Sequence, residues 1–63
     1  MTEQELEVLQ YMALGLPNKA IARQLFISAE TVKSHTRNIY AKLKVKNRIQ
    51  AIEAGRRLRI IFS

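Results

Sequence analysis

Apolar residues recur at helical spacing in four stretches, each opened by a capping signal or closed by a breaker. Leu6, Val8, Leu9, Met12 and Ala13 follow Thr2 and Glu5, which lie three residues apart as in a capping box, so a first helix is expected over about residues 3–14. Gly15 can take a left-handed C-terminal position and Pro17 cannot continue a helix, which makes Gly15-Leu16-Pro17 a stop. Asn18 is read as the cap of a short second helix, 19–26, with Ile21, Ala22 and Leu25 on one side; Phe26, like Tyr40 further on, falls at core spacing. Ile27 is apolar and Ser28 is a good N-cap, with Glu30 placed to favour the helix dipole, so a third helix, 29–44, starts after a tight turn that carries no glycine. Asn47 with Gln50 signals a fourth helix, 48–57, which Gly55 weakens by about 1 kcal/mol relative to alanine, and residues 58–63 form a tail. The fold class is all-α with four helices.

The third helix is the informative one. At about 100° per residue, Ala29, Val32, Thr36, Ile39, Tyr40 and Leu43 share an arc of roughly 100°, while Glu30, Lys33, Ser34, Arg37, Asn38, Ala41 and Lys44 share an opposite arc of roughly 140°. One face packs; the other carries donors and small residues with no large apolar group. A short helix, a tight turn and a longer helix with such a face make a helix-turn-helix, whose second helix lies in the major groove with its N-terminal half against base edges. Lys33, Ser34 and Arg37 occupy that half. Arg or Lys can donate to guanine N7 and O6, and a serine hydroxyl can donate or accept. The unpaired N–H groups opening helices two and three could hold phosphates, assisted by Asn18, Lys19, Ser28 and Thr31, with Lys42, Lys44, Lys46 and Arg48 adding cations near the fourth helix.

Charge sharpens this picture. Eleven Lys and Arg against five Glu give +6 over 63 residues, but residues 1–31 hold two cations and four Glu, net −2, and residues 32–63 hold nine cations and one Glu, net +8. A basic half on so small a chain concentrates positive potential on one side, as polyanion binding requires. The length allows one domain, 1–63, and with no cysteine it must be stabilised by helix packing or a partner. No apolar run approaches the roughly 20 residues of a membrane span, and the acidic N-terminus is unlike a secretion signal. A soluble, cytoplasmic and nucleoid-associated protein is expected.

Enzymatic chemistry finds no constellation here. His35 is the only histidine and has no cysteine or second histidine with which to share a metal, so it reads as a packed or hydrogen-bonded structural residue. Ser34 and His35 are adjacent and point apart on a helix, against a nucleophile and base pair. Glu3, Glu5 and Glu7 sit in the first turns of helix one, where capping and the dipole explain them. No metal and no cofactor is expected. The alternative reading is an interaction module in which KVKNRIQAIEAGRRLRIIF forms a basic amphipathic helix on an anionic membrane or a protein partner.

Over about residues 2–52 the chain resembles the LuxR/GerE-type DNA-binding domain of bacterial transcription regulators. The likeness is carried by Glu5, Glu7, Val8 and Leu9; Gly15 followed by Asn18 and Lys19; Ile21, Ala22 and Leu25; Ile27-Ser28; Thr31-Val32-Lys33 with His35; Asn38-Ile39; Lys42-Leu43; and Val45. The resemblance implies a four-helix domain of the response-regulator effector superfamily, with its third helix in the major groove of double-stranded DNA, acting as a homodimer on a palindromic site. It carries base contacts onto Lys33, Ser34 and Arg37, and backbone contacts onto Asn18, Lys19, Thr31 and Lys46. Helix four, here Arg48, Ile49, Ile52, Glu53 and Arg56, is implied as the dimer contact; most members also carry an N-terminal regulatory domain, so the chain is either an excised output domain or a small stand-alone regulator. Thr36, where an apolar β-branched residue is more usual, Ile49, where a small polar one is common, and the Gly55-Arg56-Arg57 interruption depart from the pattern.

Overall fold

The computed structural model describes residues 1–59 of the chain. Four helices follow one another: α1 Glu3–Ala13, α2 Asn18–Leu25, α3 Ala29–Leu43 and α4 Arg48–Arg57. The apolar tail residues 60–63 lie outside the described residues, while Leu58 just before them is exposed.

Local chemistry sets most of the helix ends. Thr2 Oγ1 accepts from the Glu5 N–H at 3.2 Å and Glu5 Oε1 accepts from the Thr2 N–H at 3.3 Å, the reciprocal capping box that the spacing predicts. Gly15 takes φ +91, a conformation costly for any residue with a Cβ, and turns the chain after α1. Ser28 caps α3 and Asn47 caps α4, each accepting from the backbone N–H three residues on, at 3.1 and 2.9 Å. The Gln50 side chain, however, accepts from the N–H of Lys46 rather than from that of Asn47.

Five readings of the sequence need correction. Asn18 is the first helical residue of α2 and not its cap; Pro17 holds the cap position in extended backbone, and no side chain caps the helix. Phe26 is not in the core. It ends α2 in the left-handed region at φ 57 and is 94% exposed, because the reversal into α3 begins there and turns its side chain off the inward line. Ala29, on the packed arc by angle, is exposed, since the first turn of α3 overhangs the core. α3 ends at Leu43, with Lys44 left-handed at φ 57 as its C-cap. Gly55 does not interrupt α4: it is buried, and the helix continues to Arg57.

The core forms where three helices converge on α3. Val8, Leu9 and Met12 from α1, Ile21 and Ala22 from α2, Val32 and Ile39 from α3 and Ala51 from α4 make one buried cluster. Seven of these side chains are essentially inaccessible, and the six larger than alanine are each worth about 1.5–3 kcal/mol of transfer free energy. α4 packs against α1 and α3 through Ala51, Ala54 and Gly55, small residues that let its axis come close. The effect is to fix α3 from one side by α2 and from another by α1, with its remaining face in solvent.

Candidate nucleic-acid interface

The α2–α3 reversal is compact. The Phe26 and Ile27 N–H groups both turn back to the Ala22 carbonyl, and half-buried Ile27 packs against the core. Ser28 follows as the cap of α3. A bulky residue thus stands left-handed where glycine or asparagine would be less strained, which is why no glycine marks this turn in the sequence.

α3 separates its residues as its periodicity predicts. Val32 and Ile39 are fully buried, and Thr36 is buried with its hydroxyl donating to the Lys33 carbonyl at 2.8 Å, so this polar residue at a core position is satisfied within its own helix. Lys33, Ser34, Arg37 and Asn38 are all exposed on the other face. Among the described residues, no side-chain hydrogen bond or ion pair engages Lys33, Ser34 or Arg37. Three donor side chains therefore stand together on a rigid helix, free to bind.

The other candidate residues lie at helix ends. Lys19 is exposed and Asn18 half-buried in the first turn of α2, whose N–H groups have no side-chain cap. The Ser28 and Thr31 hydroxyls are 2.8 Å apart and bonded to each other, so neither is idle at the start of α3. Lys46 is exposed between α3 and α4, with its backbone fixed by Gln50. On α4, Ile49 is 70% exposed, Glu53 and Arg56 are exposed and Ile52 packs partly against the core. Arg48 does something else: its guanidinium donates to the Met12 and Leu16 carbonyls, tying the start of α4 to the end of α1.

Sequence reasoning passed over a second set of contacts. His35 Nε2 lies 3.0 Å from Gln4 Oε1, and Lys42 Nζ donates to Glu5 Oε1 at 2.7 Å. The Glu5 side chain is 5% exposed and that of Lys42 46%. The Lys42 ammonium holds the Glu5 carboxyl below its ordinary range; burial opposes this, and the Thr2 N–H assists. No local signal marks these pairs, because their members stand 31 and 37 residues apart. His35 is thus hydrogen-bonded, as expected of a structural histidine, although its Nδ1 is buried with no partner among the described residues.

A short helix, a tight reversal and a longer helix with an unobstructed polar face constitute a helix-turn-helix domain. The family model for bacterial regulatory proteins of the luxR family matches residues 1–54. The chain belongs to that family: it is a LuxR-type DNA-binding domain of a transcriptional regulator, in a family that is not enzymatic. It is 55% identical over 51 residues to a nitrate/nitrite response regulator protein homolog of Haemophilus influenzae, covering 81% of this chain and 24% of that protein. It is 48% identical over 52 residues to the CsgBAC operon transcriptional regulatory protein of Escherichia coli, covering 82% and 24%. The chain thus spans about a quarter of the length of these relatives. Among solved structures it is similar to the transcription factor GerE, with TM-score 0.94, 37% identity and coverage of 98% of this chain and 92% of GerE. It is also similar to the response regulator ChrA of a heme-sensing two-component system, with TM-score 0.92, 48% identity and coverage of 95% and 30%. Among the described residues, no helix is long and apolar enough to cross a membrane.

Proposed function

We propose that α3 enters the major groove of duplex DNA and that Lys33, Ser34 and Arg37 read base edges there. The observation that carries this reading is their joint exposure, unengaged, on the face opposite buried Val32 and Ile39. A groove about 12 Å wide admits one helix, and Lys or Arg can meet guanine N7 and O6. Asn18 and Lys19 at the uncapped start of α2, Ser28 and Thr31 at the start of α3, and Lys46 beyond its end hold phosphates and set the register. The exposed side of α4, with Ile49, Ile52, Glu53 and Arg56, joins two copies on a two-fold symmetric site; Arg48, turned onto α1, serves that contact only by anchoring the helix. Half-sites are then about 10 bp apart, or a multiple of that.

This domain acts in the bacterial cytoplasm as the DNA-binding unit of a transcriptional regulator. Burial of Ala51, Ala54 and Gly55 against α1 and α3 disfavours a membrane-lying helix, since that face of α4 is already covered. Selection from a random duplex pool tests the proposal. A palindromic motif is expected, and no enrichment would refute it. On the selected duplex, Lys33→Ala or Arg37→Ala costs about 1–3 kcal/mol and relaxes preference at particular base pairs, whereas Lys19→Ala weakens all sequences alike.

A further inference from the structure

Two adjacent residues of α1 hold two residues of α3 that are seven apart, and so two turns apart on one line of the helix. Gln4 meets His35 at 3.0 Å and Glu5 meets Lys42 at 2.7 Å. Taking Lys33 as zero and about 100° per residue, His35 and Lys42 lie at about 200° and 180°, across the helix axis from Lys33 and Arg37 at 0° and about 40°. They stand just beyond the edge of the buried line of Val32, Thr36 and Ile39. From these placements we infer that the Gln4–His35 and Glu5–Lys42 pairs are positioning contacts that fix the roll of α3 about its own axis, and hence the aim of the residues that meet base pairs.

The physical case starts from what packing alone leaves undetermined. Apolar contacts are non-directional, and the inward face of α3 is narrow, with a threonine at its centre whose hydroxyl bonds to its own helix. Val32 and Ile39, with half-buried Tyr40 and Leu43 packed beside them, seat the helix by apolar contact, which resists a roll of several degrees only through a small loss of buried area. A side chain leaves the helix surface about 5–6 Å from the axis, so a roll of 10° moves it by about 1 Å, twice the tolerance of about 0.5 Å for a working constellation. Directional contacts on the far side of the axis resist that roll.

Both contacts are built to be directional. The Glu5 carboxylate is buried and already tied to its own helix end through Thr2, so it is a fixed point rather than a swinging surface charge. With its proton on Nε2 the His35 ring donates to Gln4 Oε1 at 3.0 Å, a bond whose direction fixes the plane of the ring. Among the described residues, the amide oxygen of Gln4 is the hydrogen-bond partner of the ring. His35 directly follows Ser34 in the chain, which couples that orientation to the reading face.

This role rests on the base-reading proposal above, and the test separates the two. The wild-type protein, Gln4→Leu, which cannot accept the bond, and Gln4→Glu, which can, are titrated at 10 °C and fixed salt. The probes are the duplex enriched by the wild type and a scrambled duplex of equal length, with folding verified by circular dichroism. Each base contact is worth about 5–150-fold in discrimination. Gln4→Leu is expected to lower the specific-to-scrambled affinity ratio at least about fivefold while leaving scrambled affinity within about twofold, and Gln4→Glu restores most of the ratio. Glu5→Gln, which keeps the capping acceptor, is a second variant and shows a smaller drop in the same direction. Folded Gln4→Leu and Glu5→Gln proteins that keep the full ratio would overturn the inference alone, even if both melt earlier. A wild type that enriches no motif overturns the base-reading assignment and this inference together.

Discussion

The buried carboxylate of Glu5 gives the domain an asymmetry that can be measured. Its side chain is 5% exposed while that of its partner Lys42 is 46% exposed, so the two ends of the pair differ in what is left when the other is removed. Lys42→Met strands an ionised carboxylate in the interior with only the Thr2 N–H at 3.3 Å. Charge-assisted hydrogen bonds and stranded polar groups place the cost at about 2 kcal/mol, short of a fully buried pair because nearly half of the Lys42 side chain is exposed. Glu5→Gln removes the charge but keeps an oxygen for both Lys42 and Thr2, and the exposed ammonium rehydrates, so its cost is about 1 kcal/mol or less. For a domain of this size each kcal/mol moves the melting temperature by about 4–8 °C, which separates the two variants clearly. The pH dependence supplies the control. The folded carboxyl of Glu5 is held below its ordinary range by Lys42, so the contribution of the pair is fully present above that range and is lost as pH falls through the folded value. The deficit of Lys42→Met should therefore shrink from about pH 4.5 downward, since a protonated Glu5 has no need of the cation. Thermal melts of all three proteins between pH 7 and pH 3 measure this. Equal costs for the two variants at pH 7, or a Lys42→Met deficit that ignores pH, would refute the reasoning.

Three further outcomes are expected. Phe26→Gly should raise the melting temperature by about 4–16 °C, because a left-handed residue with a Cβ costs roughly 1–2 kcal/mol and a side chain 94% exposed loses almost no packing; a fall would show that Phe26 packs after all. Arg48→Met should cost about 1–3 kcal/mol in urea unfolding by leaving the Leu16 carbonyl without its donor, the Met12 carbonyl keeping the Gly15 N–H, whereas Ile49→Ala should stay within about 0.5 kcal/mol of wild type when monomeric. DNA affinity should fall with salt at a log–log slope of about −0.9 per neutralised phosphate, and Lys19→Ala should reduce that slope by about one; a flat profile would remove the phosphate contacts from the account.

What the sequence shows well is whatever a helix decides within a few residues. The Thr2 and Glu5 cap, the Gly15 turn, the Ser28 and Asn47 caps and the two faces of α3 all depend on neighbours one to four positions away, and each is found in the structure. Phe26 shows where that logic stops. Its angular position is extrapolated along α2, but the chain leaves the helix at that residue, and nothing in its chemistry announces a left-handed conformation. Asn18 fails in a milder way: Pro17 already has the extended backbone of a cap, so the helix opens one residue earlier than its best capping side chain. Glu5 and Arg48 are a third kind of case. Their local readings, a capping acid and a basic residue opening α4, are true but incomplete, because each also bonds to a helix more than thirty residues away. The exposed polar face of α3 is legible from period alone; the Gln4–His35 and Glu5–Lys42 contacts are not.

That division has a consequence for how such a domain changes. Residues of α3 fall into three lines around one axis: Val32, Thr36 and Ile39 inward, His35 and Lys42 on α1, and Lys33, Ser34 and Arg37 outward. Only the first two lines contribute to folding, since among the described residues the outward side chains touch no partner. Substituting Lys33, Ser34 or Arg37 should therefore leave stability within about 0.5 kcal/mol while changing which duplex is bound. Substituting His35 or Gln4 should instead keep the same preferred duplex and blur the preference for it. On the roles proposed above, such a protein acquires a new target through exposed positions without rebuilding its core, because aim and identity of the reading groups are assigned to different residues.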